Sequence, residues 1–304
     1  MNMYDLITLG NITSDLYFQA DKLTTKDKRF YLAIGGKYFL EGFKLSVGGS
    51  GANVAIGAKK NRLKSAVCGV IGNNEFRKAI LHKLKLKGVS LKLILFKQQH
   101  MNLSVIFLRN NGSRTVINYE TPRQDLRVSE RFLKKLKNTR AVYLGNLPDV
   151  PLKERIMLLK FFKKNKTMII VNLGTVDTVR NKKEIVPLLS LSDILIVNRF
   201  EAAELLKRDP KKLDLKKNMI ALLPDLKNNI LVITDAEKGS YAYENNKVYY
   251  QKSIKPTKVV DTTGAGDAYT AGFISEYLKS EDVKKSMKRG AYYAAKIIAK
   301  IGAN

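Results

Sequence analysis

Short apolar runs alternate with longer amphipathic stretches along most of the chain. The apolar runs have the length of buried β-strands, and they cover residues 6–9, 66–71, 141–144, 168–171, 194–197 and 230–234. Between them, apolar residues recur at spacings of three and four, which is typical of amphipathic helices, in the stretches 75–86, 152–164 and 200–206. This alternation predicts an α/β fold: a doubly wound, mainly parallel sheet with helices on both faces.

Two stretches interrupt the alternation. Residues 16–45 are rich in Tyr, Phe and Lys, and residues 103–119 alternate in polarity around an Asn-Asn-Gly turn at 110–112. Both have the pattern of β-hairpins, so we expect them to form a small separate sheet. The remaining elements are a hairpin predicted at 241–250 and two helices predicted at 265–279 and 282–301. We therefore expect one α/β domain over residues 1–304, with a small β-sheet inserted into it.

Composition and charge narrow the class of protein. With 45% hydrophobic and 27% charged residues among 304, the chain has a globular composition, which excludes a fibre or a disordered tail. The 55 Lys and Arg against 27 Asp and Glu give a net charge of +28, which attracts acidic ligands. The lysines are scattered along helical faces without interleaved aromatic residues, so a nucleic-acid partner is not favoured.

Three features predict a cytoplasmic protein. The single cysteine, Cys68, lies in an apolar run, which favours a buried thiol in a reducing compartment. The first residues lack the basic region and continuous apolar core of a signal peptide. No apolar run approaches the ~20 residues of a membrane helix, so no membrane contact is expected.

The segment 259–268, Val-Val-Asp-Thr-Thr-Gly-Ala-Gly-Asp-Ala, carries the clearest candidate chemistry. Gly264, Ala265 and Gly266 stand where a strand gives way to a helix, and backbone amides at a helix start bind anions such as phosphate. Asp267 follows directly and is placed to accept a proton from an attacking hydroxyl. A base beside an anion hole predicts phosphoryl transfer. The alternative is that Asp267 only caps the helix and the glycines only form a turn.

Residues 261–267 resemble the C-terminal signature of the ribokinase-like carbohydrate kinases, also called the phosphofructokinase B family. The stretch Gly-Gly-Ser-Gly-Ala-Asn at 48–53 is similar to the N-terminal signature of the same family. The resemblance implies an ATP-dependent and Mg²⁺-dependent kinase acting on a sugar hydroxymethyl, with a lid formed by 16–45 and 103–119. A nucleoside kinase and a non-catalytic nucleotide or sugar sensor remain alternatives. K⁺ activation and a homodimer formed through the lid are also found in this family.

The resemblance also assigns roles to individual residues. Asp267 would be the catalytic base, and the amides of Gly264, Ala265 and Gly266 would form the anion hole. The residues expected to contact the substrate are Asp15, Gly49, Ser50 and Asn53. Those expected to bind the nucleotide are Asn198, Thr234, Gly239 and Thr263. Glu201 would hold Mg²⁺ through water, and Asp261 would border a monovalent-cation site. Without the resemblance, Asp15 is an ordinary turn residue, and Asn198 with Glu201 forms a capping box.

The sequence departs from the family pattern in two places. Ala236 replaces the first glycine of the nucleotide loop. The methyl group of alanine is tolerated there if φ is negative. Asn146 stands near the position of a substrate-binding glutamate of ribokinase, which argues against ribose. Arg114 and Arg123 are within reach of an acidic substrate, although we favour solvated positions for both.

Overall fold

The computed structural model describes residues 4–27, 29–121, 129–147, 150–223, 226 and 229–304. The strands are β1 (Tyr4–Leu9), β2 (Thr13–Gln19), β3 (Thr25–Lys26), β4 (Arg29–Phe30), β5 (Gly42–Gly48), β6 (Ser65–Cys68), β7 (Val70–Gly72), β8 (Leu95–Lys97), β9 (Asn102–Leu108), β10 (Arg114–Glu120), β11 (Thr139–Leu144), β12 (Met168–Asn172), β13 (Ile194–Asn198), β14 (Ile230–Thr234), β15 (Ser240–Glu244) and β16 (Lys247–Gln251). The helices are α1 (Ser50–Lys60), α2 (Arg77–Leu86), α3 (Glu130–Leu136), α4 (Leu152–Lys164), α5 (Thr175–Thr178), α6 (Lys182–Leu189), α7 (Arg199–Leu206), α8 (Ala265–Ser280) and α9 (Val283–Ile298).

The larger sheet has eight strands in the order β16-β15-β14-β13-β12-β11-β1-β6. The six strands from β14 to β6 run parallel, and the hairpin β15–β16 is added antiparallel at one edge. At the tip of this hairpin Asn245 and Asn246 both have positive φ, which is the conformation of a type I′ turn. The mainly parallel sheet predicted from the apolar runs is confirmed.

Helices cover both faces of this sheet. On β1, Leu6 packs into a buried cluster with residues of α8 and α9, such as Phe273 and Met287. The next residue, Ile7, points the other way and joins a cluster with Leu159 of α4 and Leu188 of α6. Because neighbouring side chains on a strand point to opposite faces, both faces of the sheet are buried, as the near-continuous apolar strands require. The doubly wound arrangement is confirmed.

A second sheet has four strands in the order β10-β9-β2-β5. Its strands come from the two stretches that interrupted the βα pattern, although they begin earlier, at Thr13 and Asn102, and end later, at Gly48 and Glu120. The register places Asp15 opposite Ser46 on one side and Ser104 on the other. The sheet therefore presents one face that carries polar side chains. Its action as a lid stays a prediction.

The apolar run at 66–71 is not a single strand. It divides into β6, which belongs to the large sheet, and β7, which pairs with β8 in a separate two-stranded sheet. The division falls at Gly69, whose carbonyl accepts a hydrogen bond from the Leu95 amide at 2.9 Å rather than continuing the large sheet. Since β6 and β7 are both buried, hydrophobicity alone does not reveal the change of sheet.

The structure also bears on the expected environment of the chain. Cys68 is buried and free, as predicted. Across the described residues, no helix combines the length and apolar character needed to cross a membrane.

A buried ion-pair network joins α4 to the short helix α5. The Arg155 guanidinium donates two hydrogen bonds to the Asp177 carboxylate, at 2.6 and 2.9 Å, and both side chains are 1% exposed. Arg180 donates a third at 2.9 Å. Burial raises the pKa of Asp177, but the bonds from Arg155 and Arg180 outweigh it, so the net pKa lies below the ordinary value.

We expect Asp177→Ala to lower the free energy of unfolding by about 3 to 5 kcal/mol, because it leaves the Arg155 charge buried without a partner. Because the pKa of Asp177 is depressed in the folded state, its contribution is present above the unfolded-state value of about 4 and is lost as the pH falls through the folded-state pKa. Urea unfolding at neutral pH measures the loss. Glu184→Gln is the matched control, because its 3.7 Å pair with Arg180 is exposed. Equal effects of the two substitutions would contradict the prediction.

Candidate active site

Helix α8 begins in an open turn at the edge of the large sheet. Gly264 precedes its first residue with φ of 72°, and no side chain caps the helix. A Cβ atom at Gly264 would lie 2.3 Å from the Cβ of Ala303, so the turn requires glycine for both space and conformation. The Val260 amide anchors the preceding residues by donating to the Ile298 carbonyl at 2.9 Å. The helix start is therefore open toward solvent and fixed from behind.

The amides at this helix start are largely available to a ligand. Among the described residues, the amides of Gly264 and Gly266 donate no hydrogen bond, and the space in front of Gly266 is empty. The Ala265 amide differs from the sequence-based expectation, because it donates a long bond of 3.3 Å to the Thr262 carbonyl. Two strong donors and one weakly engaged donor remain, together with the positive end of the helix dipole.

Asp267 lies in the first turn of α8 and is partly buried. Its Oδ2 atom accepts a hydrogen bond of 2.9 Å from the side-chain nitrogen Nδ2 of Asn53. Burial raises the pKa of Asp267 to about 6, and the bond from Asn53 opposes that rise. The carboxylate is therefore ionised at neutral pH and more basic than an aspartate in water.

A cleft of about 250 Å³ opens beside Asp267. Several polar residues that line it stand at the carboxyl ends of the neighbouring parallel strands β12, β13 and β14, where open α/β sheets bind ligands. The lining residues are Asn172, Ile196, Val197, Asn198, Glu201, Thr234, Gly264, Gly266, Asp267 and Thr270. Six of these had been singled out from the sequence. Asn172 and Thr270 had not, although Asn172 ends a buried strand just as Asn198 does.

Asn198 and Glu201 form a capping box at the start of α7. The Asn198 Oδ1 atom accepts from the amides of Phe200 and Glu201 at 2.9 Å, and Glu201 Oε2 accepts from the Asn198 amide at 2.9 Å. Burial raises the pKa of Glu201, and the nearby Asp267 charge adds to that rise. The capping interpretation is thus correct, and both residues still border the cleft.

The oxygen atoms that line this cleft are suitable ligands for a magnesium ion. Glu201 presents a carboxylate whose Oε2 is used in the cap, and Asn172 and Thr234 add an amide and a hydroxyl oxygen, whereas Asn198 Oδ1 already accepts two backbone amides. Mg²⁺ prefers oxygen ligands and keeps several waters, so it requires few direct protein contacts. Across the described residues, no three acidic, histidine or cysteine side chains cluster tightly enough for a cage built from protein alone.

Asp261 has partners of its own. Its carboxylate is fully buried, with Oδ1 accepting from the Thr263 amide at 2.8 Å and Oδ2 from the Gly302 amide at 3.0 Å. Arg114 of β10 reaches the same place: its Nε lies 4.0 Å from Asp261, and its Nη1 bonds the Thr262 hydroxyl. Arg114 is therefore not a freely solvated residue, contrary to our expectation. These contacts give Asp261 a structural role, and its part in a monovalent-cation site stays a prediction.

Asp15 lies on β2 and is 5% exposed. Its carboxylate rests on Gly48, where a Cβ atom would lie within 2.0 Å of Asp15 Oδ2. Burial raises the pKa of Asp15 to about 7; a hydrogen bond with Ser104 opposes the rise, and the charge of Asp267 adds to it. Asp15 does not line the cleft beside Asp267, but the two carboxylates are near enough to interact.

The glycine turn before α1 places further polar groups near Asp267. Gly49 precedes the helix with φ of 87°, and Ser50 Oγ packs against Gly145 together with the Tyr143 hydroxyl. Tyr143 is fully buried, and burial together with Asp267 raises its pKa. Tyr143 was not recognised from the sequence, because a tyrosine inside an apolar strand is typical of core packing. Asn146 Oδ1 is buried and packs on Gly174.

Asn53 makes two contacts that the sequence did not predict, and its contact with the substrate stays a prediction. It is 6% exposed on α1, and its amide group bonds Asp267 on one side and Asn304 on the other. The side chain therefore contacts the candidate base itself. Arg123, the other arginine considered near an acidic substrate, lies outside the described residues.

The comparison with protein families decides the assignment. The model of the pfkB family carbohydrate kinases matches residues 22–304. The chain belongs to this family. It is therefore an ATP-dependent phosphotransferase that acts on a sugar hydroxyl, as the two sequence signatures implied.

Two relatives of this kinase are similar to it over most of their length. The chain is 28% identical over 271 residues to the 5-dehydro-2-deoxygluconokinase of Clostridium botulinum (strain Eklund 17B), which covers 84% of this chain and 79% of the relative. It is 24% identical over 309 residues to the ATP-dependent 6-phosphofructokinase of Thermoanaerobacterium thermosaccharolyticum, covering 99% and 89%.

Solved structures share the fold. Arabidopsis thaliana ribokinase complexed with ribose and ATP gives a TM-score of 0.81 at 23% identity, covering 99% of this chain and 94% of the other. The nucleoside kinase of Methanocaldococcus jannaschii gives 0.73 at 22% identity, with coverage of 99% and 94%. At these identities the similarity establishes the ribokinase-like fold.

The loop of this pfkB kinase that is predicted to bind the nucleotide contains a strained residue. Thr234 ends β14 at the cleft, and the loop closes through a bond of 2.8 Å from the Asp235 amide to the Gly239 carbonyl. Between them Ala236 has φ of 47°, in the left-handed region that the family glycine adopts freely. Alanine would fit here without strain only if φ were negative, and the φ of Ala236 is positive.

We expect Ala236→Gly to raise the free energy of unfolding by about 0.5 to 1 kcal/mol, because the relief of left-handed strain exceeds the added chain entropy of glycine. Thermal and urea unfolding measure this gain. Ala294→Gly within α9 is the control, and there we expect a loss of about 1 kcal/mol. A loss of stability in Ala236→Gly would show that the methyl group makes a favourable contact.

Proposed function

We propose that this kinase transfers the γ-phosphoryl group of ATP to a hydroxymethyl group of a sugar, with Asp267 as the base. The single observation that supports this role is the position of the Asp267 carboxylate. It stands at an uncapped helix start, beside available amides of Gly264 and Gly266, in a cleft shared with Asn198 and Thr234. The hydroxyl is deprotonated at Asp267 Oδ, and the developing charge on the phosphoryl oxygens meets the amides.

The basicity of Asp267 suits this reaction. Phosphoryl transfer usually passes through a loose transition state, so little proton removal is needed before the phosphorus–oxygen bond forms. A carboxylate with a pKa of about 6 is ionised near neutrality and still accepts the proton as the bond develops. Placement within reach of the hydroxyl therefore contributes more than high basicity.

The residues of the cleft suggest where ATP and Mg²⁺ bind. The nucleotide lies along Asn198, Thr234 and the loop that ends at Gly239, while the Thr263 amide is already committed to Asp261. Glu201 would hold Mg²⁺ through water, and the ion would neutralise charge on the nucleotide phosphates. Glu201 presents its carboxylate from the first turn of α7.

The sugar is held between the two sheets. Asp15 approaches the sugar from the small sheet, and Gly49 approaches it from the glycine turn. Ser50 lies beside the Tyr143 hydroxyl. A carboxylate accepts from two neighbouring hydroxyls, which suits a polyol. The two relatives are named as kinases of 5-dehydro-2-deoxygluconate and of fructose 6-phosphate, so sugar acids and sugar phosphates belong in any acceptor panel. Location in the cell stays a prediction from the sequence.

Asp267→Asn should lower turnover by a factor of about 10² or more, because asparagine keeps the shape of the site but accepts no proton. ATP affinity should stay nearly unchanged. The measurement is ADP release with Mg²⁺ and ATP across a panel of sugars, sugar acids, sugar phosphates and nucleosides.

Asp282→Asn is the matched control, because Asp282 also stands at a helix start but caps α9 through the Lys285 amide. It should keep wild-type turnover. Wild-type turnover in Asp267→Asn would exclude Asp267 as the base. ATP binding without ADP release on any acceptor would favour the sensor, and release on nucleosides alone would favour a nucleoside kinase.

We also propose that two copies of the chain associate through the small sheet. The face opposite Asp15 is apolar, and its rings lie side by side, with centroid distances of 5.3 Å for Phe18 to Phe43 and 6.2 Å for Phe18 to Phe107. Phe43 is 63% exposed, and Ile117 on the same face is 56% exposed. We infer that a second copy of the chain covers this face. The face is uncharged, so two strongly basic chains can meet there without bringing like charges together.

Phe43→Asp should shift the protein from dimer to monomer, because it places a carboxylate in the middle of the apolar face. Light scattering coupled to size-exclusion chromatography measures the mass. Val248→Asp is the control, since Val248 is 38% exposed on β16, the edge strand of the large sheet. A wild-type protein that is monomeric at all concentrations, or a dimer retained in Phe43→Asp, would contradict the proposal.

A further inference from the structure

Two hydrogen bonds link residue 304 to the candidate base, and a third anchors residue 304. Asn304 Nδ2 donates to the Val47 carbonyl at 2.8 Å and to Asn53 Oδ1 at 2.9 Å. Asn53 Nδ2 in turn donates to Asp267 Oδ2 at 2.9 Å. The link joins residues separated by 251 and 214 positions in the sequence, so it exists only in the folded chain.

The direction of every bond in this link is determined by its ends. The Val47 carbonyl can only accept, so the Asn304 atom that faces it is the NH₂ group. That NH₂ group also faces Asn53, whose near atom must then be the amide oxygen. The Asn53 NH₂ group is left to face Asp267, where an ionised carboxylate can only accept. Asn304 therefore stabilises the orientation of the Asn53 amide in which its NH₂ group reaches the base.

Both asparagines are held on rigid parts of the molecule. Asn53 lies on α1, which packs so closely on α8 that a Cβ atom at Gly57 would be 2.5 Å from Ala271 Cβ. The segment that carries Asn304 is fixed by the bond of 3.0 Å from the Gly302 amide to Asp261 and by Ala303 against Gly264. A link between fixed elements loses little entropy on forming.

We propose that Asn304 is a positioning residue for phosphoryl transfer, which keeps the Asn53 amide oriented so that it donates to the Asp267 carboxylate. This inference rests on the proposed role of Asp267 as the base. Without Asn304, the Asn53 amide is free to rotate and to present its oxygen to Asp267, which removes a donor and places two acceptors face to face. The donor also favours the ionised base, so its loss reduces the fraction of ready enzyme.

Other groups around Asp267 do not duplicate this effect. The titratable groups that interact with it electrostatically are Asp15 on β2, Tyr143 on β11 and Glu201 on α7. None of the three is bonded to Asn304 or Asn53 in the described hydrogen-bond network. A change that reaches Asp267 from residue 304 is therefore expected to pass through Asn53.

The test is a double-mutant cycle on the full chain, with Asn304→Ala, Asn53→Ala and both together. We expect Asn304→Ala to lower kcat about three- to tenfold, as for a lost hydrogen bond that acts on a charged group through one neighbour, with the KM for ATP unchanged. In the Asn53→Ala background, the same substitution should have no further effect. Ile301→Ala is the control, because that side chain is exposed in the same segment.

A second readout does not need turnover. The ¹³Cγ chemical shift of Asp267, followed against pH, should show a higher pKa in Asn304→Ala than in the wild type, and no difference between Asn53→Ala and the double variant. Additive effects on kcat, a changed KM for ATP with constant kcat, or an unshifted titration would overturn the proposal. If Asp267→Asn keeps turnover, the proposed function fails instead, whereas the titration still reports whether Asn304 acts on Asp267.

Discussion

The carboxylate of Asp267 has to stay ionised although it is withdrawn from water, and much of the surrounding structure serves this requirement. Burial alone favours the neutral acid. Two contributions oppose it: the positive end of the α8 dipole and the hydrogen bond from Asn53. One comes from the helix that carries the aspartate and the other from α1, so the close packing of these two helices, with Gly57 against Ala271, determines the state of the base.

Parallel strands explain why the remaining polar groups meet here. Asn172 and Asn198 end adjacent strands at the same edge of the large sheet, and both line the cleft. Asp15 arrives from a different sheet; burial raises its pKa to about 7, and the nearby charges of Asp267 and Asp261 add to that rise. A hydroxyl group of a ligand placed between Asp15 and Asp267 would donate to one of the two carboxylates and keep their charges apart. The site is therefore poised for a polar, uncharged group at this point.

The sequence was sufficient for features that depend on local pattern. Buried strands and amphipathic helices follow from periodicity, and the Gly-Ala-Gly-Asp turn at 264–267 identifies the helix start, because its physics is contained in adjacent residues. Residues that act through distant partners could not be found in this way. Tyr143 has the pattern of a core residue, Arg114 that of a solvated strand residue, and Asn304 belongs to no periodic element. The left-handed conformation of Ala236 is likewise imposed by the bond between Asp235 and Gly239 rather than by alanine itself.

The small sheet and the phosphate-binding turn are mechanically connected. Arg114 on β10 bonds the Thr262 hydroxyl, and Lys44 Nζ on β5 donates to the Ile301 carbonyl at 2.7 Å. Thr262 directly precedes the open turn, and Ile301 directly precedes Gly302, whose amide holds Asp261. Because both contacts end on segments that shape the start of α8, a movement of the small sheet would remove support from the open amides there. If the small sheet acts as a lid, as the sequence predicts, its closure and the geometry of the proposed anion hole would depend on the same two side chains.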